Sequence, residues 1–182
     1  MANALIKDEY IPRYSYSDYK EWEGKWELIN GIAYAMSPAP VIRHQEVSFN
    51  IAVELKQKAK ACKLCKSLQA VDWKIDTKTV VCPDNLLVCG EEIGEQYLNK
   101  TPEIIFEILS PATAFKDRNV KYLLYENMGV RHYILVDTKA MVAEVFEWID
   151  GRYQKRCNAQ DETVSFDLKG CEIAFDFAKI WE

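Results

Sequence analysis

Histidine is scarce in this chain, with two among 182 residues, His44 and His132, so a histidine-rich metal site has almost nothing to draw on. No apolar run approaches the roughly 20 residues that a membrane-spanning helix requires. The first thirty residues lack the apolar core of a signal peptide, because charged residues interrupt them throughout. The expectation is a soluble, cytoplasmic protein. An excess of positive charge is also missing: 23 Lys and Arg stand against 28 Asp and Glu, a formal net charge of −5. That balance argues against a protein that simply coats nucleic acid, but not against a local cleft that meets phosphates. No internal repeat, low-complexity tract or linker is present, so a single domain over 1–182 is expected. Met1 to Arg13 shows no period and reads as a loose arm.

Six cysteines are present, including a C-x-x-C at Cys62 and Cys65. A structural zinc site asks for a second such pair, and the sequence has none. The simplest expectation is six reduced thiols in a reducing compartment, with Cys82 and Cys89 in the core.

The informative stretch runs from Val80 to Lys121. It holds two short apolar segments, VVCPDNLLVC and EIIFEILSP, each broken by one carboxylate, Asp84 and Glu107. Both segments have the length and flanks of buried strands. A carboxylate there is costly unless its charge is compensated. Two of them in neighbouring strands suggest a shared divalent cation, with Lys121 of the following helix beside it.

In chain order, Ser17 is a candidate N-cap for a short helix through Trp22. Asn30-Gly31 between Trp26–Ile29 and Ile32–Met36 predicts a hairpin, ended by Ser37-Pro38-Ala39-Pro40. Val47, Ile51, Leu55 and Ala59 predict an amphipathic helix from Val41 to about Ala61. The lysines at its end (56, 58, 60, 63 and 66) read as a solvated tail or as a phosphate-contacting patch. Lys66 to Ile75 and Val80 to Cys89 are expected to pair as antiparallel strands across the turn at 76–79. Glu103 to Ser110 is expected in the sheet interior, with Ile105, Glu107 and Leu109 on one face. Asp117 to Met128 is expected to be a helix, with Val120, Leu123, Leu124 and Met128 on its buried side and Asp117, Lys121 and Tyr125 four apart on another. Short strands and hairpins fill the remainder. The class is α+β, a mixed sheet with helices and a β-rich C-terminal third.

Several of these residues have plain alternatives. Asp84 after Pro83 suits a turn, Lys121 alone reads as a surface lysine and Glu27 as an ordinary hairpin residue. His44 reads as a hydrogen-bonded histidine and Tyr125 as packing.

The order ELINGIAYAMSPAP, a helical H-Q, PDNLLV, IIFEILSPAT and KDRNVKYLLYENMGVRHYILVD resembles the Uma-two type of restriction endonuclease, within the PD-(D/E)XK nuclease superfamily. The resemblance covers about Tyr16 to Trp148. It implies a restriction-endonuclease-like core and a magnesium-dependent phosphodiesterase site. Asp84 matches the Asp of the P-D motif and Glu107 the Glu of the E-x-K half. Leu109 stands where the superfamily lysine is expected, and Lys121 matches a lysine relocated to the next helix. Glu27 matches the Glu before the N-G turn and His44 the histidine of the S-P…H-Q segment. Ile32 fills a position that is often acidic in the family.

The implied chemistry is in-line hydrolysis of a DNA phosphodiester by metal-activated water. Asp84, Glu107 and the backbone carbonyl of Ile108 would hold Mg2+, with Mn2+ able to substitute. Lys121 would orient water or stabilise charge on the phosphate. Without metal, at least one of the two carboxylates should have a raised pKa. Two further readings stay open. One is a decayed nuclease fold that binds or regulates nucleic acid. The other is an assembly module that pairs with a second copy, since a homodimer suits an enzyme meeting both strands.

Overall fold

The computed structural model describes residues 11–36, 41–168 and 170–182. A six-stranded mixed sheet forms its centre, in the order β10-β9-β8-β7-β6-β3. Here β3 is Cys65–Gln69, β6 Asn85–Cys89, β7 Ile104–Ile108, β8 His132–Asp137, β9 Val142–Ile149 and β10 Arg152–Ala159. Only the β7–β8 pairing is parallel; the other neighbours run antiparallel. A parallel pair needs a crossover, and the helical segment between β7 and β8 supplies it.

Alternation along β7 sends its side chains into two cores. Ile104, Phe106 and Ile108 join one core with Val47, Ile51 and Leu55 of α2 (Ile42–Ala59) and with Phe166 and Phe175 of the hairpin β11 (Thr163–Asp167)–β12 (Glu172–Asp176). Ile105 joins the other with Trp73, Tyr125, Tyr133 and Leu135. Glu107 therefore faces the second core, as its period-2 position requires.

Over that face lies a four-stranded antiparallel sheet, in the order β2-β1-β5-β4. It comprises β1 (Trp26–Ile29), β2 (Ile32–Ala35), β4 (Trp73–Lys74) and β5 (Val80–Val81). Asn30 and Gly31, with φ of 51° and 79°, make the expected tight turn between β1 and β2.

Several local expectations need correction. The strands expected at 66–75 and 80–89 pair as foreseen, but each is cut in two. β4 joins β5 in the four-stranded sheet, whereas β3 joins β6 in the six-stranded one. The breaks fall at Ala70, whose φ is 49°, and at Pro83-Asp84, where proline cannot donate to a ladder. Asp84 thus lies between two strands and not in the middle of one. Helix α1 is shorter than expected, Tyr16–Tyr19. Its start is held by Ser15 in place of Ser17, with Asp18 Oδ2 accepting from both Ser15 N and Ser15 Oγ at 2.8 Å.

The crossover segment departs most. Lys116–Lys121 forms a π-helical turn that runs into α3, Tyr122–Asn127. Asp117, Lys121 and Tyr125 are buried and Leu123 is exposed, whereas Val120, Leu124 and Met128 pack partly buried against the second core, so the expected apolar face holds except at Leu123 and the polar row is buried beside it. The reason is electrostatic: this polar row meets carboxylates on the sheet.

The thiols also differ from expectation. Cys62 pairs with Cys171 and Cys65 with Cys89, leaving Cys82 and Cys157 free. The first pair spans 109 residues, a partnership that no local spacing announces. Arg13, at the end of the expected loose arm, donates to the carbonyl of Asn30 at 3.0 Å. The rest of that arm through residue 10, and Ser37-Pro38-Ala39-Pro40, lie outside the described residues.

Candidate active site

Four elements converge where β7 meets the four-stranded sheet. Strand β7 supplies Glu107, the break before β6 supplies Asp84, β1 supplies Glu27, and the π-helical turn supplies Lys116, Asp117 and Lys121. Helix α2 brings His44 in its first turn. Asn85 fixes that helix against the sheet: its amide donates to the carbonyl of Ser48 at 3.0 Å and accepts from Ser48 Oγ at 2.9 Å.

The ammonium of Lys121 is the hub. It stands 2.8 Å from Glu107 Oε1, 2.7 Å from Glu27 Oε1 and 3.7 Å from Asp117 Oδ1. Glu107 Oε1 also accepts from the hydroxyl of Tyr125 at 2.8 Å. Glu27 is wholly buried, and receives Lys116 at Oε2 and the backbone N–H of Cys82 at Oε1, 3.0 Å. Asp84 is held from two sides. Its Oδ2 accepts from the backbone N–H of Ile108 at 2.8 Å and lies 3.4 Å from His44 Nε2.

The charge balance is uneven. Glu27, Asp84, Glu107 and Asp117 are gathered around two ammonium groups, Lys116 and Lys121. Burial, with Asp117, Asp84 and Glu27 adding to it, holds Glu107 well above the ordinary carboxylate range despite Lys121. Glu27 goes the other way: burial would raise it, but Lys121 and Lys116 together lower it. Burial disfavours charge on Lys121, yet Glu107, Glu27 and Asp117 outweigh it and hold the ammonium protonated. For His44, burial is outweighed by the Asp84 carboxylate and the Ile108 carbonyl, so its pKa is raised.

Among the described residues, no group of three or more His, Cys, Asp or Glu side chains forms a ready metal cage. A magnesium ion does not ask for one, since it keeps several waters and takes one or two carboxylates. The donor set fits that pattern. Asp84 Oδ1 and Glu107 Oε2 receive no hydrogen bond from a described residue, and both are hard oxygens. Their sheet is bonded through Ile108, whose N–H binds Asp84 and whose carbonyl faces His44.

All six expected residues (Glu27, His44, Asp84, Glu107, Ile108 and Lys121) thus meet in one place. Lys116 and Tyr125 were not anticipated as members. Lys116 and Lys121 are five apart, and at 3.6 residues per turn they would point in different directions. The wider π-helical turn aligns them.

The Uma2 family, described as "Putative restriction endonuclease", matches residues 16–176. A protein of Synechocystis sp., called uncharacterized protein slr1290, is 26% identical over 167 residues, covering 79% of this chain and 82% of its own. A crystal structure from Anabaena variabilis, described as a "putative nuclease belonging to DUF820", superposes with a TM-score of 0.72. It covers 92% of this chain and 97% of its own at 13% identity, a likeness of fold.

Proposed function

The chain belongs to the Uma2 family, and from that premise we propose that it is a metal-dependent endonuclease that hydrolyses phosphodiester bonds of DNA. The observation that supports this best is the convergence of Asp84, Glu107 and Lys121 from three separate elements into one cluster, in which Glu107 and Lys121 are buried and Asp84 is part-exposed. A structural ion pair would need one carboxylate for one lysine. Here four carboxyl groups surround two lysines, and Asp84 Oδ1 and Glu107 Oε2 receive no hydrogen bond from a described residue.

Asp84, Glu107 and the Ile108 carbonyl would hold Mg2+, or Mn2+ in its place. When bound, the ion supplies positive charge to the scissile phosphate and makes a bound water more acidic. The protein's own groups do the rest. Lys121, kept charged by Glu107 and Glu27, would orient a water or stabilise charge on a phosphate oxygen. Glu27 fixes both lysines in place. His44 and the Ile108 N–H orient Asp84, as partners behind a metal ligand commonly do.

The test is cleavage of linear and supercoiled DNA by the full chain, with Mg2+, with Mn2+ and with EDTA. Cleavage should require metal and should vanish in Asp84→Asn and Glu107→Gln while both variants stay folded by circular dichroism. Intact DNA under every metal condition would overturn the reading.

One feature favours a second reading, that of a fold which binds nucleic acid without turnover. Leu109 stands where the superfamily lysine is expected, and Lys121 is 3% exposed and already ion-paired. That reading predicts retention of DNA without cleavage, weakening steeply with salt. No described helix is long and apolar enough to cross a membrane. A homodimer, with two sites facing the two strands of a duplex, is the assembly that suits the proposed reaction.

A further inference from the structure

A cleft of about 350 Å³ opens beside the carboxylate site and has no role in the reaction as described above. Its walls include Tyr16, Tyr19, Trp22 and Trp26. These rings are half-buried; Tyr16 and Tyr19 stack at 24° and 6.1 Å, and the pairs around Trp22 meet at steep angles. Tyr19 and Trp22 lie 5.6 Å apart at 63°, and Trp22 and Trp26 lie 5.6 Å apart at 64°. Such contacts stabilise the cluster without sandwiching the rings. Packing alone would account for an aromatic cluster around α1. It does not account for an open cleft that also contains two lysines and a carboxylate.

Lys20 and Lys25 are exposed at the rim; Lys20 stands 3.4 Å from Glu21, and Glu23 also lies between the two lysines in the chain, so the rim is a mixed-charge edge that offers an ammonium at each end. Asp72 lies deeper. Tyr19 donates to its Oδ2 at 2.9 Å, and Oδ1 receives no hydrogen bond from a described residue. A half-buried acceptor beside aromatic faces suits a flat ligand that carries N–H groups on its edge.

The cleft also shares its wall with the reaction site. Trp26 directly precedes Glu27. Cys82, another wall residue, donates its N–H to Glu27 and stands two residues before Asp84. Ala70, also in the wall, donates its N–H to the carbonyl of Asp84 at 3.1 Å. A group seated here is adjacent to the carboxylates.

We propose that this cleft seats a nucleobase of a single or locally unpaired nucleic-acid strand, stacked on the tryptophans with its N–H edge toward Asp72. Aromatic platforms edged by lysine bind strands this way, because every base offers a π-face. The base would hold the adjoining phosphate near Asp84 and Glu107; this last part rests on the nuclease reading, whereas base binding does not.

The test uses the full chain in EDTA and compares by fluorescence anisotropy a 12-nucleotide oligo-dC with an abasic strand of equal length. The base-bearing strand should bind about tenfold tighter or more. Trp22→Leu should remove most of that preference and Trp22→Phe should keep it. Equal affinity for the two strands, or no measurable binding of either, overturns the proposal, and neither result depends on a variant folding. Metal-dependent cleavage without base preference would sink the cleft and spare the nuclease. Base preference without cleavage would do the opposite.

Discussion

Lys121 follows Glu107 by 14 residues, yet its ammonium stands 2.8 Å from Glu107 Oε1 in an interior where each of the two side chains is 3% exposed. The pair links the central strand to the crossover segment that leaves it. The contact keeps the Lys121 ammonium protonated and only partly offsets the burial that raises the pKa of Glu107, and it positions both side chains.

Breaking this network should be expensive. Lys121→Met leaves Glu27 and Glu107 without their common partner, and removing one member of a buried ion pair typically costs about 3–5 kcal/mol. The double variant Lys121→Met/Glu107→Gln should lose less than the two single changes added together. Urea unfolding of the four proteins measures this. Additive losses would mean that the contact carries no coupling.

Metal binding is open to direct observation apart from activity. Mn2+ titrated into the full chain should give the electron paramagnetic resonance signal of a bound ion. Asp84→Asn should weaken the affinity about 10-fold or more, and His44→Ala less, since His44 acts through Asp84. Unchanged Mn2+ affinity in Asp84→Asn would place the ion elsewhere.

The cysteines make a covalent prediction. Alkylation of the denatured, unreduced chain should label Cys82 and Cys157 alone, with peptides linking Cys62 to Cys171 and Cys65 to Cys89. Reduction should then lower stability, on the order of 2–5 kcal/mol for a removed native bridge. Labelling of all six thiols without reductant would restore the reduced state expected from composition.

His132 sets a pH dependence. Burial lowers its pKa; its Nε2 sits 3.0 Å from the carbonyl of Asp167, and its buried Nδ1 has no hydrogen-bond partner among the described residues. The folded state therefore takes up the proton less readily than the unfolded one, whose histidine titrates near pH 6.5, or about that. Stability should hold above that pH and fall as the pH drops toward the lowered folded value, by up to about 1.4 kcal/mol per pH unit. His44, whose pKa is raised, contributes with the opposite sign. The difference between wild type and His132→Gln isolates His132. Identical pH profiles between pH 7 and 5 would contradict the burial argument.

How much of this was legible beforehand depends on the range of the interaction. The hairpin at Asn30-Gly31, the helix over Ile42–Ala59 and the interior strand Ile104–Ile108 follow from turn chemistry and apolar period, which act over a few residues. Glu107 was visible as an anomaly because an acid in an apolar strand needs a partner. Asp84, Lys121, Glu27 and His44 were ordinary residues one by one, and only their order within a resemblance to a family singled them out.

Tertiary structure decided what local signals could not carry. Sequence by itself determined where strands and helices form and that one buried acid must be answered. It did not determine that the π-helical turn would bury Asp117 and Lys121, because that choice depends on Glu107 and Glu27 waiting on the sheet. Nor did it reveal Lys116, since five-residue spacing aligns two lysines only when the helix widens, or the union of Cys62 with Cys171, 109 residues away. Periodicity records which side of an element prefers oil to water. Which charges meet across elements is settled only when those elements have packed.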